Sequence, residues 1–220
     1  MIDIGANLTH ESFRADFDAV LERARRHGVG QIVVTGASAG GSRAARELAR
    51  THPGFLHATA GVHPHHAHDY DEATDALLRE LVATPEVKAV GETGLDYFRD
   101  LSPRPAQIAA FERQLGIAID SGKPLFLHQR DAQAEGRAGR YNVRGRIGRA
   151  VVHCFTGERD ELVGAGITRG QERTDALRAV LARDRPDLLR ARDRRAPGVP
   201  AAERGEEAVL LDPHQSLGHP

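Results

Sequence analysis

Six short apolar runs, each of the first five followed by a segment long enough for a crossover, constrain this chain more than any other feature. The runs are IDIGANL (2–8), QIVVTG (31–36), HATAGVH (57–63), VKAVGE (87–92), PLFLH (124–128) and RAVVHCF (149–155). After the first, Phe13, Phe17, Val20, Leu21 and Ala24 recur on one helical face. Ala44, Ala45 and Leu48 follow the second run, and Leu77, Leu78, Leu81 and Val82 the third. Ile108, Phe111, Leu115, Ala118 and Ile119 form the stripe after the fourth, with Gly28 and Gly122 as natural helix stops. Strands alternating with helices of this length run parallel and are joined by crossovers, so the fold class is α/β. The pattern fits either a doubly wound sheet or a (β/α)8 barrel. Both place their chemistry at the carboxyl ends of strands.

Those ends carry unusual residues for runs that should be buried. The third run leaves through GVHPHHAH, with His63, His65, His66 and His68; the fourth ends at Glu92; the fifth at His128; the sixth passes through His153. One such residue means little, because a strand-end His is as readily a hydrogen-bonded structural group and a single Glu an ordinary loop carboxylate. Their occurrence at successive strand ends is harder to dismiss. Neutral imidazole and carboxylate are natural ligands of divalent cations, and a Glu with two or three His can build a centre that activates water. His65, His66 and His68 read first as a polar loop, with Pro64 stiffening the strand exit. Cys154 neighbours a candidate ligand, but strand alternation turns it to the opposite side, as a buried structural thiol.

Composition bounds the rest. At 220 residues the chain can bury one core undivided, as barrels of about 200–250 residues do. The net charge of -1 neither supports nor excludes DNA, since a local basic groove remains compatible with it. A lone cysteine forms no intramolecular disulfide and points to a reducing compartment. MIDIGANL is too short and acidic for a signal peptide, and no apolar run approaches the roughly 18 residues of a membrane helix. A cytoplasmic protein without membrane contact is expected, of open oligomeric state.

Taken together, DIGANLT, TAGVHPH, AVGETGLDYFRD, PLFLHQRDA and AVVHCFTG closely resemble the TatD-type deoxyribonuclease family of metal-dependent hydrolases. The resemblance implies a TIM-like (β/α) barrel and Mg2+-dependent removal of nucleotides from DNA, with 3′ to 5′ exonuclease action. By position it implies metal ligation by Glu92, His128 and His153. His63 would stand beside the metal or the scissile phosphate as a catalytic group together with Glu92, and His63 and His65 would contact substrate. Many relatives carry a His-x-His pair on the first strand; here Gly5 and Asn7 stand in its place, which lowers the expected number of tightly held metals.

The resemblance covers residues 1–165. The segment 133–148 holds four Gly and offers no amphipathic helix for the crossover required there, and no aromatic residue follows Phe155. Residues 166–220 form a second, Arg-, Pro- and Gly-rich segment without barrel character, so the barrel is expected to be incomplete or irregular at its carboxyl end. The family's Glu-Thr-Asp-Ala-Pro motif, with its Asp as ligand or base, is absent; Asp212 in LLDPH is a weak substitute. If Arg192-Asp193-Arg194-Arg195-Ala196 is encoded CGA GAC CGA CGC GCC, starting one nucleotide later spells Glu-Thr-Asp-Ala followed by Pro. A reading-frame slip would account for the tail. Two other readings therefore stay open: an impaired remnant that at most binds a divalent cation, and a metal-dependent hydrolase of a small amide or phosphoester.

Overall fold

The computed structural model describes residues 1–132, 147, 149–154 and 156, the side chain of His153 excepted. The expectations for residues 133–146 and 157–220, including Asp212, fall outside the described residues. Among the described residues the strands and α-helices are β1 (Ile2–Ala6), α1 (Phe17–Arg26), β2 (Gln31–Val34), α2 (Ala39–Thr51), β3 (Leu56–Ala60), α3 (Glu72–Val82), β4 (Val87–Asp96), α4 (Arg104–Ser121), β5 (Leu125–Arg130) and β6 (Ala150–His153), alternating as far as β5. The strands form one curled sheet in sequential order, every neighbouring pair parallel. This is the TIM-like arrangement, in which each crossover helix packs back on the strands it joins.

Period-two alternation divides the strand side chains between two layers. Leu125 and Leu127 of β5 face outward and join Val34, Leu56, Ala58, Leu78 and Phe111 in the core between sheet and helices. Phe126 faces inward, against Ala89, Val151 and Ile4. His128, two residues beyond Phe126, therefore belongs to the inner row at the carboxyl end of the sheet.

The helices begin where their capping residues allow. Ser38 Oγ accepts the Gly41 N–H ahead of α2, and Asp71 the Thr74 N–H ahead of α3. Ala45 of α2 is buried as its spacing predicts, whereas Ala44 is exposed. The face of α4 is less apolar than expected, since Gln107 and Gln114 are also buried. They lie seven residues apart, two turns along one face, and each clasps a strand exit. Gln114 accepts the Val62 N–H at 2.8 Å and donates to the Val62 carbonyl. Gln107 accepts the Asp96 N–H at 2.9 Å and donates to the Asp96 carbonyl.

The fourth strand corrects the sequence reading. It does not end at Glu92 but runs on to Asp96, with a register shift against β5 between Val90 and Thr93. The cause is Gly91, whose φ of 140° is denied to ordinary L-residues and whose absent Cβ would collide with the Phe126 carbonyl oxygen. The irregularity lets the strand continue past Glu92 and bring a second carboxylate to the rim.

Candidate metal centre

The strand exits converge on one cluster. His63 follows β3 and caps a 3-10 turn, Pro64–Asp69, in which Pro64 occupies the first turn where its missing N–H costs nothing. Its backbone N–H is held by the Ala37 carbonyl at 2.9 Å, and the Glu92 N–H by the Gly36 carbonyl at 2.7 Å. The segment after β2 thus fixes two site residues at once. His63, Glu92 and His128 are all buried, and one ligand-type atom from each lies within 4.8 Å of the others.

The contacts define the orientation of each ring. His128 Nδ1 lies 2.9 Å from Glu92 Oε1 and 3.1 Å from His63 Nε2, while His128 Nε2 lies 3.2 Å from Asp96 Oδ2. His63 Nδ1 accepts the backbone N–H of His65 at 3.1 Å. In the neutral ring the proton therefore resides on His63 Nε2, which faces Glu92 Oε1 at 3.5 Å. His63 is arranged as a hydrogen-bond donor into the site.

Charge follows the same contacts. Burial would lower the pKa of His128, but hydrogen bonds to Asp96, Cys154 and Glu92, together with the Glu92 charge, outweigh it and push the imidazole up to about 11. Burial likewise opposes ionisation of Asp96, yet hydrogen bonds from His128, His65 and the Arg99 backbone hold its carboxyl far below the usual range. Without a cation, His128 is the positive charge between two carboxylates. A divalent cation can take the place of its proton, and the donor set of one carboxylate and imidazoles suits such an ion.

The sequence-predicted residues other than His153, whose side chain lies outside the described atoms, each have a definite place. Glu92, His128 and His63 come together. The backbone of His153 pairs with that of His128 in register, at the same level of the adjacent strand. His65 turns its Nε2 to Asp96 Oδ2 at 2.8 Å, and His68 Nδ1 meets Ser102 Oγ, between β4 and α4, at 2.7 Å. Cys154 is not buried: it is exposed, because its φ of 50° breaks the strand alternation. Gly5 matters on the opposite flank, since its φ of 114° excludes ordinary side chains and a Cβ there would stand 3.2 Å from the Phe126 ring.

Asp96 was missed by the sequence reading although it sits 1% exposed at the heart of the cluster. The signal for it was the continued alternation through Leu95 beyond Gly94. The loop that follows places Phe98, 59% exposed, with the Arg130 guanidinium 4.0 Å from its ring centroid. Among the described residues no helix is long and apolar enough to cross a membrane.

A parallel β/α sheet with carboxylate and imidazole groups gathered at its strand ends is the arrangement of the metal-dependent TIM-barrel hydrolases. The model of the family described as TatD related DNase matches residues 2–167. The chain belongs to that family. Its curated relatives include the 3'-5' ssDNA/RNA exonuclease TatD of Edwardsiella piscicida, 48% identical over 162 residues, a match that spans 74% of this chain but 62% of that protein. The protein of the same description from Pantoea vagans (strain C9-1) is 41% identical over 234 residues, covering 97% of this chain and 88% of its own length. Among solved structures, YJJV, a TatD homologue from Escherichia coli K12, shares the fold with a TM-score of 0.67 at 23% identity, over 83% of this chain and 89% of that one. An uncharacterized amidohydrolase from Saccharomyces cerevisiae gives a TM-score of 0.62 at 28% identity, over 74% of this chain and 64% of its own.

Proposed function

We propose that this chain removes nucleotides from the 3′ end of single-stranded DNA by hydrolysing phosphodiester bonds, with a divalent cation, Mg2+ being the simplest choice, held by Glu92, His128 and His153. The observation that carries the reading is the convergence of Glu92, His128 and His63 within 4.8 Å at the strand ends. Relatives named 3'-5' ssDNA/RNA exonuclease support a single-stranded nucleic acid as the polymer. The lone Cys154 agrees with action in the cytoplasm.

When bound, such a cation supplies Lewis-acid stabilisation of the phosphate and lowers the pKa of water. The protein groups do the rest. Glu92 and His128 give up a shared proton to make room for positive charge. His63 Nε2–H donates to a non-bridging phosphate oxygen, with its ring held by the His65 backbone N–H. His65, anchored on Asp96, closes the wall against which the substrate rests. Phe98, steadied by Arg130, offers a flat apolar face on which a base stacks, and Arg99 beside it meets the backbone charge.

The test is digestion of oligonucleotides labelled at either end, with Mg2+, with chelator and with Glu92→Gln. Stepwise shortening of 5′-labelled single strands, abolished by chelator and by the substitution, is expected. The likeness to the yeast amidohydrolase favours one second reading, turnover of a small amide. Metal-dependent cleavage of such amides with no attack on DNA would replace the first. Inactivity of the unaltered chain on both would favour a remnant that only binds the ion.

A further inference from the structure

We propose that Asp96 is the positioning residue that keeps the proton of His128 on Nε2, so that Nδ1 presents its lone pair toward Glu92. The inference deepens the metal-centre reading and rests on it. Asp96 carries no side-chain contact of its own to His63 or Glu92 among those described; it acts through His128.

The hydrogen bonds around the Asp96 carboxylate leave one arrangement. Asp96 Oδ1 accepts two backbone N–H groups, from Phe98 at 3.1 Å and Arg99 at 2.9 Å, which cannot become acceptors. Oδ2 stands 2.8 Å from His65 Nε2 and 3.2 Å from His128 Nε2. An ionised carboxylate only accepts, so both rings must carry hydrogen on Nε2 to bond with it. A neutral His128 then has its lone pair on Nδ1, the nitrogen beside Glu92 Oε1. Gln107 holds the Asp96 backbone from α4 by both N–H and carbonyl, and the Phe98 and Arg99 N–H groups hold the carboxylate. A ligand imidazole fixed through its other nitrogen is a common arrangement around protein metals. Here the fixing group arrives only because β4 continues beyond Gly91.

The discriminating variant is Asp96→Asn. Its amide oxygen must stay with the Phe98 and Arg99 N–H groups, which turns the NH2 toward both imidazoles. His128 must then offer a lone pair at Nε2, and its proton moves to Nδ1, blocking the cation. A side chain nearly identical in shape thus reverses the tautomer. Asp96→Ala, which imposes neither tautomer, leaves the ring free to choose.

The experiment titrates Zn2+, a diamagnetic probe, into the full chain and its variants by calorimetry. It also reads His128 by long-range 15N–1H NMR, the signal assigned by its loss in His128→Asn. Zn2+-loaded wild type should show the His128 proton on Nε2. Asp96→Asn should bind Zn2+ at least ten-fold more weakly, and more weakly than Asp96→Ala. A merely structural Asp96 would give the opposite order. A proton on Nδ1 in loaded wild type overturns the proposal even if both variants fail to fold, as does undiminished affinity in Asp96→Asn. Wild type that takes up no Zn2+ would instead overturn the metal-centre reading on which the role depends.

Discussion

His128 Nδ1 and Glu92 Oε1 stand 2.9 Å apart across β4 and β5, both side chains buried. At that separation a proton binds them in the metal-free protein, and a cation must displace it.

The displacement makes metal binding depend on pH. The His128 pKa is raised to about 11, so the proton is held throughout the neutral range and divalent affinity should climb by about ten-fold per pH unit below that value. The sign for folding is opposite. A raised pKa stabilises the metal-free fold fully below the ordinary imidazole value of about 6.5, and that contribution is lost as pH rises toward the folded value. Calorimetry of Mg2+ or Mn2+ binding in two buffers of different ionisation enthalpy should count about one proton released. No release would mean that His128 is not a ligand.

His63→Gln should separate donation from ligation. Its Nδ1 is committed to the His65 N–H, so the cation should bind with nearly unchanged affinity while kcat on DNA falls by about 10²–10³. A loss of affinity as large as that of Glu92→Gln would make His63 a metal ligand.

Gln107→Leu removes the partner of the buried Asp96 N–H and leaves the Asp96 carbonyl with the Asp100 N–H. An unpaired buried group costs about 1–3 kcal/mol, and urea unfolding should show a loss of stability of about that size, with a lower midpoint. An unchanged midpoint would show that these bonds contribute nothing net.

Phe98→Ala should raise KM for single-stranded oligonucleotides by about ten-fold, the order expected from one lost stacking contact. Hydrolysis of a small aryl phosphodiester, which has no base to stack, should be unaffected. Equal effects on both substrates would remove Phe98 from substrate binding.

Acid should weaken the fold through two carboxylates. Asp96 has a lowered pKa, so its contribution is present above the unfolded carboxylate value and is lost as pH falls through the folded one. Asp75 behaves alike: burial opposes its charge, but Arg79, Tyr70 and Arg113 bind it and lower its pKa. Replacing either with Ala should flatten the acid limb of a stability profile; an unaltered limb would contradict the assignment.

The β/α grammar was legible because both periods were strong, and His63, Glu92 and His128 because polar groups ending buried runs are rarely idle. Asp96 was hidden by Gly91 and Gly94, which look like a strand end but permit an irregular strand to go on. Gln107 and Gln114 escaped for a related reason. A polar residue on a helix reads as solvent-facing, and only the strand exits opposite reveal what they bind. Cys154 was misplaced because alternation presumes extended backbone, which its positive φ abandons.

The most direct measurement is anomalous scattering from crystals of the full chain soaked in Mn2+, collected at the manganese edge. A single strong peak between Glu92 and His128, with the His153 imidazole also in reach, is the result expected. A peak elsewhere, or none with the Glu92–His128 contact intact, would contradict the assignment of this cluster as the metal centre.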